Sequence, residues 1–209
     1  MTSRACRQSR REEYTPRHEI TDHHRRAGPV RNGAPAITLR EDNAICIVGY
    51  DAEWPARFRT VAARLHSLLG AHVARIEHIG STSVPGLSAK PVLDIDVVVR
   101  AAADLQPSIR QLEQGGYLHE GDLGIPGREA LRCPPGSERH HLYLLVEGSR
   151  ELRRHLAFRE ALRADGALRD EYAALKRALA QRFPDERRGY TSGKSDFIEA
   201  TLRRLLPRG

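Results

Sequence analysis

The chain has 209 residues, 40% of them hydrophobic and 29% charged, which fits one globular domain with ample length for a core. Its net charge is +7, but residues 1–36 hold eight Arg against four acids, which leaves only +3 for the rest. A nucleic-acid partner is therefore not required. No uncharged apolar run reaches membrane-span length and no apolar block follows the first Arg residues, so neither a membrane span nor a secretory leader is expected.

Residues 1–36 lack hydrophobic periodicity and are rich in Arg, His, Pro and Gly; they read as a disordered basic tail ahead of a domain at 37–209. His23-His24 and Arg25-Arg26 within it read as solvated side chains. Cys6, Cys46 and Cys133 are scattered and odd in number, which argues against a disulfide framework or zinc knuckle and fits a cytoplasmic location. Lys90, Lys176 and Lys194 are the three lysines, against 31 Arg. Codon bias in a GC-rich genome accounts for such an excess of Arg.

Ala44–Val48 is expected as a first strand. Tyr50 to Pro55 then opens a helix, with Asp51 as cap and Pro55 in the first turn. Phe58, Val61, Ala62, Leu65, Leu68 and Leu69 recur at helical spacing up to Gly70, so this helix is amphipathic. Val73 to Ile79 reads as a strand that leaves into Gly80-Ser81-Thr82-Ser83. Gly80 permits close backbone approach, and the three hydroxyls and nearby N–H groups are donors for phosphate. Lys90 is within reach of the same phosphates, and Glu77 and His78 are peripheral candidates.

Val92 to Val99 has the composition of a strand buried on both faces. Side chains alternate, so Asp94 and Asp96 share a face about 7 Å apart along the chain. Two carboxylates there repel each other and lose hydration unless a cation lies between them. Mg²⁺ or Mn²⁺ suits hard oxygen ligands; the alternative is a half-buried strand whose aspartates are capped by backbone and Arg. Beyond it, Ala101 to Gln114 reads as a helix, Tyr117–His119 as a short strand, and Gly121 to Gly127 as a loop. Arg139 to Glu147 is a further strand, with His141, Tyr143, Leu145 and Glu147 on one face and His140, Leu142, Leu144 and Val146 on the other. The last third is helical: Leu152 to Leu162, then Leu168 to Phe183, ended by Pro184. Ser192-Gly193-Lys194-Ser195 is not a P-loop, because position 188 is Arg rather than Gly and no strand precedes it.

A Gly-Ser turn followed 13 residues later by Asp-x-Asp on a strand is the pattern of the nucleotidyltransferase superfamily. The wording Glu77-His78-Ile79-Gly80-Ser81-Thr82-Ser83-Val84-Pro85-Gly86-Leu87, with Ala89-Lys90-Pro91, resembles the GrpB family within that superfamily. So do Tyr50-Asp51 with Trp54-Pro55 and Phe58, and Tyr190 with Gly193-Lys194 and Phe197-Ile198. The resemblance runs from about Ile45 to Leu206. It implies an α/β (α+β) fold: a small mixed sheet with flanking helices and a helical C-terminal part. Arg128 and Arg132 match Arg positions of the family and are candidate phosphate clamps, or strand-edge salt bridges; Lys194 is a candidate phosphate contact. At Arg139 and Tyr143 the chain departs from the family's wording. Where the superfamily places a third carboxylate, His141 stands as ligand or base.

The leading expectation is a metal-dependent nucleotidyltransferase. Asp94 and Asp96 hold Mg²⁺ or Mn²⁺; Gly80, Ser81, Thr82, Ser83, Lys90, Arg128 and Lys194 hold the nucleotide; His141 acts as base. Its partners are a nucleoside triphosphate and an unidentified small-molecule or protein acceptor. The alternative is a nucleotide-binding or accessory module without turnover, since relatives occur fused to dephospho-CoA kinase. A metal-assisted phosphohydrolase using Asp94, Asp96, His140 and His141 ranks last.

Overall fold

The structure is a computed structural model and describes residues 45–206; these lie within one compact unit, Asn43–Gly209. The tail at 1–36, with His23-His24 and Arg25-Arg26, falls outside the described residues. Helix α1, Trp54–Leu69, carries Pro55 in its first turn and closes at Gly70, whose φ is 52°. Asp51 is not its cap: Glu53 occupies that position, and the Asp51 carboxylate accepts the Glu53 N–H from the preceding turn. Strands β1 (Val73–Ile79) and β2 (Leu93–Val99) follow, then helix α2 (Leu105–Gln114). Next come β3 (Leu118–Gly121), β4 (Arg128–Arg132) and β5 (His140–Val146). Four helices end the chain: α3 (Arg150–Ala164), α4 (Gly166–Arg182), α5 (Arg187–Ser192) and α6 (Ser195–Leu205).

The sheet is mixed, in the order β1-β2-β5-β4-β3. Strand β2 runs antiparallel to β1 and parallel to β5, so it is an interior strand, and nearly all of its residues are buried, as its apolar composition requires. Strand alternation divides the side chains. Leu93, Ile95, Val97 and Val99 join Leu142 and Leu144 under α1 and α2, where Trp54, Leu65 and Leu112 complete a core with almost no solvent exposure. Asp94, Asp96 and Val98 turn to the other face. There Val98 meets Leu145 and Leu152, and a separate cluster ties Val84 and Leu87 to Leu162, Tyr172 and Phe197 of the helical layer.

The first strand does not form within the described residues. Val48 makes an isolated bridge with Ala89, while the Ile45 N–H donates to the Pro184 carbonyl. The segment passes between two unrelated partners instead of running along one strand, so no ladder builds. Cys133 carries a free thiol. No helix among the described residues is long and apolar enough to cross a membrane.

Candidate active site

At the end of β1 the chain turns sharply through Gly80, at φ 66° and ψ −170°, into a single 3₁₀ turn at Ser81–Ser83. The Gly80 carbonyl accepts both the Ser83 N–H at 3.3 Å and the Ser83 hydroxyl at 2.6 Å. Ser83 therefore closes the turn, and Thr82 is bonded to the buried His78 ring at 2.9 Å. Ser81 is the hydroxyl that meets the helical layer: the Lys176 ammonium donates to its Oγ at 2.9 Å. Gly80 lies so close to β2 that a Cβ added there would meet the Asp94 Cβ and Cγ at 2.8 Å. The Gly-Ser turn and Asp94 are thus one packed unit, and Ile79 sits opposite Asp94 in the sheet.

Strand β5 supplies the next partner. Asp94 is in register with His141, and Asp96 with Tyr143. The His141 Nδ1–H donates to Asp94 Oδ1 at 2.8 Å, while the Arg187 guanidinium from α5 lies 3.3 Å from His141 Nε2, which sets the ring's tautomer. Burial would raise the Asp94 carboxyl, but the hydrogen bond and charge of His141, with Lys194 and His155, hold it below the usual carboxylate range. His140 turns to the opposite face, against the Tyr117 hydroxyl and the Glu138 carbonyl, away from the aspartates. That removes the four-residue constellation of a phosphohydrolase.

Asp96 has a different environment. Its side chain is fully buried, and His155 of α3 donates to its Oδ2 at 2.8 Å. Burial pushes its carboxyl up, opposed by His155, and the same pairing raises His155 against the desolvation that would lower it. Asp96 Oδ1 is buried with no hydrogen-bond partner. An orphaned carboxylate oxygen on the same face as Asp94 fits a cation ligand. The described residues contain no group of three or more His, Cys, Asp and Glu side chains able to hold a metal.

Asp94 opens onto a cavity of about 220 Å³ lined also by Ser81, Thr82, Lys90, His141, Lys176, Arg187 and Lys194. Lys90, Lys176 and Lys194 are all the lysines of the chain. Lys176 is almost fully buried; its ammonium is held by Ser81 and by the Ser88 carbonyl at 2.5 Å and lies 4.7 Å from the centre of the Tyr172 ring. Burial lowers it to about 7, with Lys194 adding to the effect and Asp94 opposing it. Lys194 occupies the position just before α6, stands 4.5 Å from the Tyr190 ring centre, and is lowered by burial against the opposing pull of Asp94. Such a cluster of desolvated cations is costly unless an anion joins it.

Gly80 and Arg128 line a second cavity that shares Asp94 with the first. Glu77 belongs to an ion-pair network with Arg75 and Arg159, and Arg132 pairs with Glu120 at an exposed edge. Sequence reasoning missed Lys176, Arg187 and His155. The helical spacing of α3 and α4 carries no mark of which polar residue faces the sheet, although the scarcity of lysine was a usable signal for Lys176.

A Gly-Ser turn packed on an Asp-x-Asp strand of a mixed sheet, with C-terminal helices beside the cleft, defines an α+β domain. The GrpB protein family profile matches residues 44–204, and the chain belongs to that family. It is 35% identical to the UPF0157 protein YqkA of Bacillus subtilis over 73% of this chain, and spans 45% of that protein's length. The crystal structure of the conserved protein GrpB from Enterococcus faecalis matches with a TM-score of 0.70 at 35% identity, covering 77% of this chain and 97% of the other. Similarity extends to a dephospho-CoA kinase of Mycolicibacterium paratuberculosis, at 26% identity over 76% of this chain and 45% of that one.

Proposed function

We propose that this protein binds a nucleoside triphosphate in the lysine-lined cavity and transfers its nucleotidyl group to an acceptor hydroxyl or amine. The observation that carries the reading is the convergence of all three lysines, with Arg187 and the Gly80–Ser83 turn, on one cavity beside Asp94. Lysine is a compact, strongly charged phosphate partner, and the burial of Lys176 lets that charge act at short range on a polyanion. In the reaction the acceptor oxygen or nitrogen attacks the α-phosphorus, pyrophosphate leaves with the bridging oxygen, and the acceptor's proton passes to a base. We assign that role to His141, whose Nδ1–H is held by Asp94 and whose Nε2 is freed for the proton when the Arg187 guanidinium turns to the triphosphate. Lys176 and Lys194 meet the charge that builds on the leaving pyrophosphate. Asp94 and Asp96 are the residues that would hold Mg²⁺ or Mn²⁺, which when bound neutralises the triphosphate.

A second reading keeps the nucleotide and removes the turnover: an accessory module, as the likeness to a dephospho-CoA kinase suggests. The observation in its favour is Asp96, which is sealed beneath His155 and lines neither cavity.

The test is thermal stability against a nucleotide panel with and without Mg²⁺ or Mn²⁺, for wild type and Asp94→Asn, followed by pyrophosphate release. A ligand that binds the folded state at about 100 times its Kd adds about 2.7 kcal/mol. A metal-dependent shift lost in Asp94→Asn, with pyrophosphate released when an acceptor is supplied, is the expected result. A shift without turnover selects the accessory module, and no shift with any nucleotide refutes both readings.

A further inference from the structure

The second cavity, of about 260 Å³, meets the first at Ser81, Asp94, Tyr143 and Lys194, which line both. Its character is different. Phe158, Leu162, Ile198 and Leu202 give it an apolar wall built from α3 and α6. Two of its arginines are already matched: Arg154 pairs with Glu151 and Glu199, and Arg159 with Glu77 and Glu160.

Arg128 is not matched in this way. It is 9% exposed, makes no ion pair with a described carboxylate within bonding distance, and its Nε is buried without a hydrogen-bond partner. Its guanidinium lies 4.4 Å from the centre of the Tyr143 ring. Asp96 is near enough to feel its charge but makes no hydrogen bond to it. A buried guanidinium without an acceptor is unfavourable, and its planar fork is shaped for the two oxygens of an acid group.

We propose that this cavity binds an organic anion: an acidic head, phosphate or carboxylate, seated on Arg128, with a compact aromatic or short alkyl body against the apolar wall. Because this cavity shares Asp94 with the lysine-lined one, a ligand of this class whose body also carries a hydroxyl or amine is the acceptor. That assignment rests on the nucleotidyl-transfer reading, whereas the binding itself does not.

The experiment is titration calorimetry of the full chain with phenyl phosphate, phenylacetate and inorganic phosphate, without nucleotide or metal. Wild type is compared with Arg128→Met and with Ile198→Trp, which fills the cavity from α6 and leaves the guanidinium in place. Wild type is expected to bind one aryl acid more tightly than inorganic phosphate, and either variant to weaken it about ten-fold or more. Preference for phenyl phosphate identifies a phosphate head; preference for phenylacetate identifies a carboxylate. Absence of binding by either aryl acid, or binding unchanged in a folded variant, overturns the proposal. If Arg128→Met fails to fold by circular dichroism, Ile198→Trp decides alone. Aryl-acid binding without any nucleotide-induced stabilisation keeps this site and removes the nucleotide reading; the reverse outcome removes this site alone.

Discussion

Gly80→Ala should be among the most damaging single-atom additions to this protein. Gly80 has φ 66° and ψ −170°, a region open essentially to glycine, and a side chain forced there costs about 1–3 kcal/mol. The new Cβ would also lie 2.8 Å from the Asp94 Cβ and Cγ, far inside the usual carbon–carbon separation of about 3.5–4.0 Å. Overpacking of this kind adds about 1–3 kcal/mol. The turn has little freedom to escape, because two groups of Ser83 hold the Gly80 carbonyl. The expected loss is about 2–6 kcal/mol, a large part of the roughly 5–15 kcal/mol available to a domain. In urea denaturation this moves the midpoint by about 1–3 M for a slope of about 2 kcal/mol/M. Asp94→Gly removes the three atoms nearest the new Cβ, so the double variant should be more stable than the sum of the singles by about 0.5–3 kcal/mol. A Gly80→Ala protein within about 0.5 kcal/mol of wild type, or no coupling between the two positions, would refute the argument that turn and strand are packed as one unit.

Two further outcomes are expected. Lys176 is lowered to about 7 from 10.5, so above pH 7 the unfolded chain binds the proton more strongly than the folded one. Stability should therefore rise with pH between about 7 and 10.5, the penalty of the buried charge being full below that window and relieved across it. Lys176→Met should reduce this rise by up to about 1.4 kcal/mol per pH unit, checked by urea denaturation over that range; an unchanged slope would place the source elsewhere. Trp54 is 1% exposed at the start of α1, and Trp54→Ala should cost about 3–5 kcal/mol in the same measurement while leaving the lysine-lined cavity's residues untouched.

Much of the architecture was legible because local rules and tertiary demand agree. The period-two run of β2 states that Asp94 and Asp96 share a face whatever packs there, and the spacing of Phe58 to Leu69 states the buried stripe of α1. Gly-Ser ahead of Asp-x-Asp was legible for the same reason: a turn and a strand are local objects. The first strand was misjudged because a β ladder needs a partner along its length, and among the described residues of that segment only Val48 has a bridge partner. Within the site, the limit fell at the helical layer. Lys176 lies 95 residues from the Ser81 hydroxyl it holds, and His155 lies 59 residues from Asp96.

Sequence alone therefore determined strand β2, the turn and the acidic pair, which depend on neighbours a few residues away, and the family, through its local motifs. The tertiary structure decided which groups meet them. It buried Asp96 under His155 while leaving Asp94 open to two cavities, and it chose His141 over His140 as the partner of Asp94. It brought three widely spaced lysines to one cavity and left Arg128 facing the other without an acid. The physical reason is that electrostatic chemistry depends on distance and desolvation, and both are set by how the C-terminal helices close over the sheet.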